Sequence, residues 1–236
     1  MKKFYLHIPE LLGFQPVFAE MIDRMYRSQL IDAVDEVIFC VNGVLANVEI
    51  AYLPLLPVSD KFRVAHVNGD ASKWEYPTIN LIKQEADASE SIDFVGYAHL
   101  KGLSRPDDLN AVDWRHYLTY WTVDRWEENI EKLNEGYEVV GVNWMDYPWP
   151  HFSGNFWWAS TNYIRRLPHL VDPTEITMGV DSTYLPNVKL DSGNFRFEHE
   201  AWIGSATPNH YQLHASPGGK DGTFHYRFPY PESNYK

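Results

Sequence analysis

Apolar and polar residues follow two rhythms along this chain. Lys3–Ile8 reads as a strand that Pro9 closes, and Val37–Val41 is a continuous apolar run stopped by Asn42-Gly43. Runs of that kind suit strands buried on both faces of a parallel sheet. Val48–Leu53, Phe62–Val67, Phe94–His99, Tyr137–Val142 and Phe156–Ser160 predict further strands. Between them the spacing turns helical. Val17, Phe18, Met21, Ile22 and Met25 predict a helix over Gln15–Leu30, and Pro77 favours the first turn of a helix over Tyr76–Ala88. Trp114, Leu118 and Trp121, followed by Trp126, Ile130 and Leu133, predict one long helix over Ala111–Leu133 that Gly136 ends. Thr161–Leu167 reads as a short helix stopped by Pro168, and Phe195–Ile203 as a helix or a strand-to-helix turn. Pro173–Leu185 fits neither rhythm.

Strands alternating with helices predict an α/β fold with a mainly parallel central sheet flanked by helices. With no repeat or linker, residues 1–215 read as one domain, and residues 216–236 as an irregular aromatic strap packed on it. Ligands of such sheets sit beyond the carboxyl ends of the strands. The loops after Ile8, Val41, Val67, His99 and Val142 are therefore the expected functional rim.

Composition narrows the partners. The 236 residues hold 20 Lys+Arg against 32 Asp+Glu, a formal charge of −12. A nucleic-acid polymer or an anionic membrane needs a basic face, so neither is expected as the main partner. A single phosphorylated small molecule is still allowed. The lone Cys40 can make no internal disulfide, which fits a reducing compartment. His7, Pro9 and Glu10 interrupt any leader-like apolar run, and no stretch is apolar for long enough to span a membrane. Nine Trp, 15 Tyr and 12 Phe are unusually many. Core packing is the ordinary fate of such rings; sugar stacking is the other.

The common catalytic signatures are missing. There is no glycine-rich dinucleotide or P-loop motif, no G-x-S-x-G, no H-E-x-x-H and no C-x-x-C. Three polar clusters remain. His99 and Lys101 stand two apart at a strand end before Gly102, where cations could neutralise a diphosphate. His151, Ser153, Gly154 and Asn155 are set among aromatics ahead of Trp157 and Trp158. Glu198 and Glu200 flank His199 beside Trp202, where burial could make a carboxylate a general base. His210 and His214, four apart, would share a face of a helix or a strand and invite either metal ligation or ordinary hydrogen bonding.

Tyr97–Gly102, Trp114-Arg115, Gly141-Val142-Asn143, His151–Ala159 and Tyr163–Pro168, in this order, resemble small GT-A-type glycosyltransferase domains. These occur in bacteria, phages and large algal viruses, and include the N-terminal domain of a multidomain chlorovirus glycosyltransferase. His7-Ile8, Asn42-Gly43, Tyr76-Pro77-Thr78 and Arg196…Ile203 extend the likeness over most of the chain. Leu100 stands where that family usually has Thr. The resemblance implies a GT-A-like nucleotide-diphospho-sugar transferase fold in the cytoplasm. It also implies transfer of a hexose from a nucleotide-sugar donor, a UDP-sugar first, to a hydroxyl of a glycan acceptor, with inversion.

The same resemblance implies donor and phosphate contacts from His7, Asn42, Asn68, Asp70, His99, Lys101 and Gly102. It gives sugar and acceptor contacts to His151, Ser153, Gly154, Asn155, Trp157 and Trp158. Glu200 is implied as the general base, with Glu198 as substitute. Where related enzymes carry Asp-x-Asp, this chain has His99-Leu100-Lys101, so Mn²⁺ or Mg²⁺, held by His99 and Asp70, is expected to be usable rather than required. Two other readings stand beside this one. One is a non-catalytic, lectin-like module using the Trp-rich surface; the other is a metal-dependent hydrolase built on His151, His210 and His214.

Overall fold

β1 (Lys2–Pro9) runs through the middle of the sheet, and Phe4 to Ile8 are buried on both of its faces. The computed structural model describes residues 1–9, 14–43, 59–68 (66–68 as backbone only), 70, 73–175, 179, 181–182, 184, 189, 197–217 and 223–236. The predicted strand at Val48–Leu53 and Arg196 lie outside these residues. β2 (Glu36–Asn42) and β3 (Phe62–Asn68) extend the sheet on one side of β1, and β4 (Phe94–His99) flanks it on the other, all parallel. β5 (Val139–Val142), β8 (Trp157–Ser160) and β9 (His210–His214) complete the order β3-β2-β1-β4-β8-β5-β9. β8 alone runs antiparallel to its neighbours. A small hairpin of β6 (Trp144–Met145) and β7 (His151–Phe152) stands apart. The fold is thus α/β, with a mostly parallel sheet between helices. Among the described residues no helix is long and apolar enough to cross a membrane.

Alternation along each strand divides the interior into two cores. Phe4, Leu6 and Ile8 face the core built with α1 (Phe14–Arg27) and α4 (Leu109–Thr119). Tyr5 faces the core of Ile79 and Ile82 from α3 (Tyr76–Ala88), with Ala201 and Trp202 from α7 (Phe197–Trp202).

The two long helices predicted from spacing are both broken. Gln15–Leu30 becomes α1 and the short α2 (Leu30–Ala33), separated at Gln29, whose φ is 61°. Leu30 and Ile31 remain buried, so the apolar stripe continues across a break that it does not reveal. Ala111–Leu133 becomes α4, a π-helical turn at Tyr120–Asp124 and α5 (Trp126–Asn134). Arg125 N–H bonds back to Tyr120 at 2.9 Å, and Asn129 Nδ2 donates to the carbonyls of Trp121 and Arg125 at 2.7 and 3.0 Å. Trp158 Nε1 satisfies the Thr122 carbonyl at 2.9 Å. Side chains thus cap the carbonyls that the wider turn releases. Asp108 caps α4 through the N–H groups of Asn110 and Ala111, which starts it two residues before the prediction. Gly136, with φ 100°, closes α5 as expected, and the predicted short helix before Pro168 forms as α6 (Thr161–Arg166).

His210–His214 is a strand, but its two histidines part company. The register with β5 shifts between Gly141 and Val142. Such a bulge reverses the facing of the residues beyond it. His210 stacks on Trp144 toward one core, and His214 stacks on Trp121 toward the other. The metal-ligating pair that their spacing allowed is therefore not formed, and His214 Nδ1 instead lies 3.0 Å from the Tyr117 hydroxyl.

The C-terminal strap lies against α4. Tyr117 packs against His225, Tyr230 and Tyr235, and His225 stacks on Trp114. His225, in the short α8 (Phe224–Arg227), also bonds Ser216 Oγ at 2.9 Å. Asn143 Oδ1 accepts from the Ser216 N–H at 2.8 Å and the Tyr117 hydroxyl at 3.2 Å.

Candidate functional site

The chain leaves β1 toward β2 and β3, then crosses back over α3 into β4 on the far side of β1. The order of connection therefore reverses between β1 and β4. A crevice opens at such a switch point, beyond the carboxyl ends of the strands. His7 and His99 are paired there in register. Both sit two residues beyond a tyrosine of the α3-side core, so their side chains take that same face.

His7 Nδ1 lies 2.7 Å from Thr78 Oγ1, in the first turn of α3. Burial lowers its pKa to about 4, with His99 and His199 adding to the effect and Glu75 opposing it. His99 Nε2 lies 3.0 Å from the carbonyl oxygen of Gly154. A carbonyl only accepts, so Nε2 carries the proton and Nδ1 keeps the lone pair. Burial first, then the charge of Lys101, push the His99 pKa to about 3. Both rings are therefore neutral throughout the physiological range.

Glu75 is the feature that sequence reading missed. It precedes α3, and its Oε2 accepts from the Tyr97 hydroxyl at 2.5 Å and from Asn155 Nδ2 at 2.7 Å. Its Oε1 faces His99 Nε2 at 3.8 Å. Trp157 Nε1 donates to Asn155 Oδ1 at 2.9 Å and fixes the amide. Burial, then the charge of Glu75, hold the Tyr97 phenol well above its ordinary pKa, so it stays a donor. The one available sequence signal was position: Glu75 stands immediately before the Tyr-Pro that opens a helix at the carboxyl end of the sheet.

α7 sends its two carboxylates different ways, because residues two apart lie about 200° around a helix. Glu200 is half-buried, and its charge reaches Tyr97 and His99. Glu198 is buried and accepts a hydrogen bond from Ser182. Of the two candidate bases, Glu198 is engaged by Ser182 and Glu200 is the more exposed.

Between them His199 is 2% exposed, and neither ring nitrogen has a hydrogen-bond partner among the described residues. Burial lowers its pKa to about 3. Each unpartnered buried nitrogen costs about 1–3 kcal/mol. His199→Phe is therefore expected to leave the thermal midpoint unchanged or to raise it. A fall in that midpoint would show that partners hold the ring.

Lys101 stands on the other flank. Its Nζ lies 3.9 Å from the centre of the Trp114 ring, and its charge reaches both His99 and His225. Gly102 has φ 85°, a backbone conformation that favours glycine, and it lets the chain turn beneath the lysine. Asn42 is buried and donates to the Trp74 carbonyl at 3.0 Å, tying the end of β2 to the approach to α3. Asn68 ends β3 in register with Asn42. Asp70 is exposed in the following loop, where its carbonyl accepts from the Lys73 N–H at 3.2 Å.

The aromatic block behaves otherwise than expected. Trp157 and Trp158 are fully buried. β8 lies between β4 and β5, so alternate side chains enter opposite cores, Trp157 beside Tyr97 and Trp158 against Phe4. Neither ring can stack on a sugar. His151 is buried, with Nδ1 2.9 Å from the Trp149 carbonyl, and Ser153 is buried beside it. Gly154 contributes its carbonyl to His99 and leaves no room for a side chain, since a Cβ there would lie 2.6 Å from Leu118.

The carboxylate that the structure sets beside His99 is Glu75, where sequence reading had paired His99 with Asp70. Among the described residues no three His, Cys, Asp or Glu side chains converge to hold a metal ion. With Nε2 committed to Gly154, His99 could offer a metal ion only its Nδ1 lone pair.

Residues 65–211 match one known family over more than half of the chain. The chain belongs to the family described as Domain of unknown function (DUF8361). No curated protein matches it. Among solved structures, it is similar to 4-diphosphocytidyl-2C-methyl-D-erythritol synthase from Anaerococcus prevotii DSM 20548, at 13% identity and TM-score 0.39, over 70% of this chain and 74% of that one. It is also similar to Rv0371c from Mycobacterium tuberculosis H37Rv. The manganese complex gives 11% identity and TM-score 0.36, and a second structure gives 10% and 0.36, each over 71% of this chain and 77% of that one. Likenesses this distant carry no functional argument.

Proposed function

We propose that this protein is a glycosyltransferase that moves a hexose from a nucleotide-diphosphate sugar to a saccharide hydroxyl, with inversion. One observation carries the reading: at the switch point of the sheet His99 is fixed on the Gly154 carbonyl at 3.0 Å, with Lys101 two residues further on and a carboxylate, Glu75, 3.8 Å from its ring. A cation and a carboxylate thus flank one crevice, as displacement of a diphosphate by a hydroxyl requires. The acceptor oxygen bonds to the anomeric carbon while the bond from that carbon to the diphosphate oxygen breaks. The acceptor proton passes to Glu200, and Lys101 stabilises the charge gathering on the departing diphosphate. His99, fixed by Gly154, lines the crevice with an uncharged polar wall. The nucleoside lies toward the ends of β1 and β2, near His7. No step is routed through a metal ion. Trp157 and Trp158 are core residues and offer a lectin-like reading no platform beside the strand ends.

A screen of nucleotide sugars for slow hydrolysis or nucleotide release, with and without EDTA, tests the reading. Turnover of one donor class supports it, and no turnover or binding of any donor overturns it. Lys101→Ala is expected to weaken nucleoside-diphosphate binding about 10–100-fold, the worth of a charge-assisted contact. Calorimetry with UDP, GDP and dTDP measures this, and unchanged affinity removes Lys101 from the phosphate site.

A further inference from the structure

Glu75 differs from most partly buried carboxylates among the described residues. Glu20, Glu36, Glu85 and Asp124 each pair with an arginine or a lysine. Among the described residues the only basic side chain within ion-pair reach of Glu75 is His99, which is neutral. Two uncharged donors hold one of its oxygens, and both donors are themselves immobilised. Tyr97 is fully buried, and Asn155 is buried, anchored by Trp157 and set at φ 56°. The second oxygen has no hydrogen-bond donor among the described residues, and the side chain keeps 18% exposure at the crevice. A group held so firmly with one edge left open is preorganised for a ligand.

The chemistry of that edge selects the ligand. A carboxylate offers lone pairs alone, so it repels a diphosphate and accepts from hydroxyl groups. Lys101 already serves the anionic part of the donor in the reading above. We propose that Glu75 binds a hydroxyl of the sugar being transferred, and so selects among sugars. This inference rests on the transferase reading.

The test compares native protein with Glu75→Gln by calorimetry, using the free nucleoside diphosphate, the parent nucleotide sugar and its monodeoxy analogues, with and without Mn²⁺. The diphosphate is expected to bind both proteins equally. The nucleotide sugar should bind the variant about 10–100-fold more weakly. One deoxy analogue should bind both alike, which identifies the hydroxyl. Equal weakening of diphosphate and nucleotide sugar overturns the proposal, as does unchanged affinity or a loss confined to Mn²⁺-containing samples. If Glu75→Gln lowers the thermal midpoint, Tyr97→Phe decides. It keeps the carboxylate and removes one tether, so it should reproduce the sugar-selective loss at smaller size; no selective loss overturns the proposal. Native protein that binds neither diphosphate nor nucleotide sugar refutes the transferase reading itself. Native binding that Glu75→Gln leaves intact refutes this inference alone.

Discussion

Glu200→Gln is expected to lower turnover by roughly 10²–10⁴-fold, the usual contribution of a general base. The amide keeps the size of the side chain but cannot take the acceptor proton. α7 leaves Glu200 half-buried and buries Glu198 against Ser182, so the neighbouring carboxylate cannot substitute without turning the helix. Donor binding should be nearly unaffected, because the diphosphate is held on the Lys101 flank. Steady-state kinetics with the donor found by screening, beside calorimetry of the free diphosphate, separates the two effects. A variant with full turnover would remove Glu200 from the mechanism.

Gly204→Ala carries the largest expected cost in stability. A methyl at this position would stand 1.9 Å from the Pro150 carbonyl oxygen and 2.6 Å from the carbonyl carbon. Both are backbone atoms, so no side-chain rotation relieves the collision. Either the β6–β7 hairpin or the end of α7 must move. Overpacking costs about 1–3 kcal/mol even where side chains can yield, so this backbone clash belongs at or above ~3 kcal/mol. At about 2–4 °C per kcal/mol for a chain of this size, the thermal midpoint should fall by ~6–12 °C or more. Turnover should fall with it, since the displaced segment directly follows the helix that carries Glu200. An unchanged melting curve would show that hairpin and helix do not meet this closely.

Several parts of the fold were legible because they depend on local chemistry. Continuous apolar runs identified β1 and β2, Pro77 marked the start of α3, and Gly136 marked the end of α5. Other parts were hidden because two arrangements share one pattern. The apolar stripe from Trp114 to Leu133 persists through the π turn, whose carbonyls are capped by Asn129 and Trp158 from other positions in the chain. His210 and His214 share a face on any regular strand, and only the register with β5 separates them. Trp157 and Trp158 read equally well as a sugar platform or as core until β8 is known to lie inside the sheet.

The sequence alone determined the alternation of strands and helices and the residues available for chemistry at the strand ends. Hydrophobic periodicity and turn-forming residues act over a few positions, so they can be read without a partner. The tertiary structure decided which of those residues meet. His7 and His99, 92 positions apart, become neighbours because the chain crosses back over β1. Glu75 reaches Tyr97 and Asn155 by that same crossing, and Glu198 is buried while Glu200 keeps some exposure. Long-range strand order and helix rotation fix these meetings, and neither leaves a local mark in the sequence.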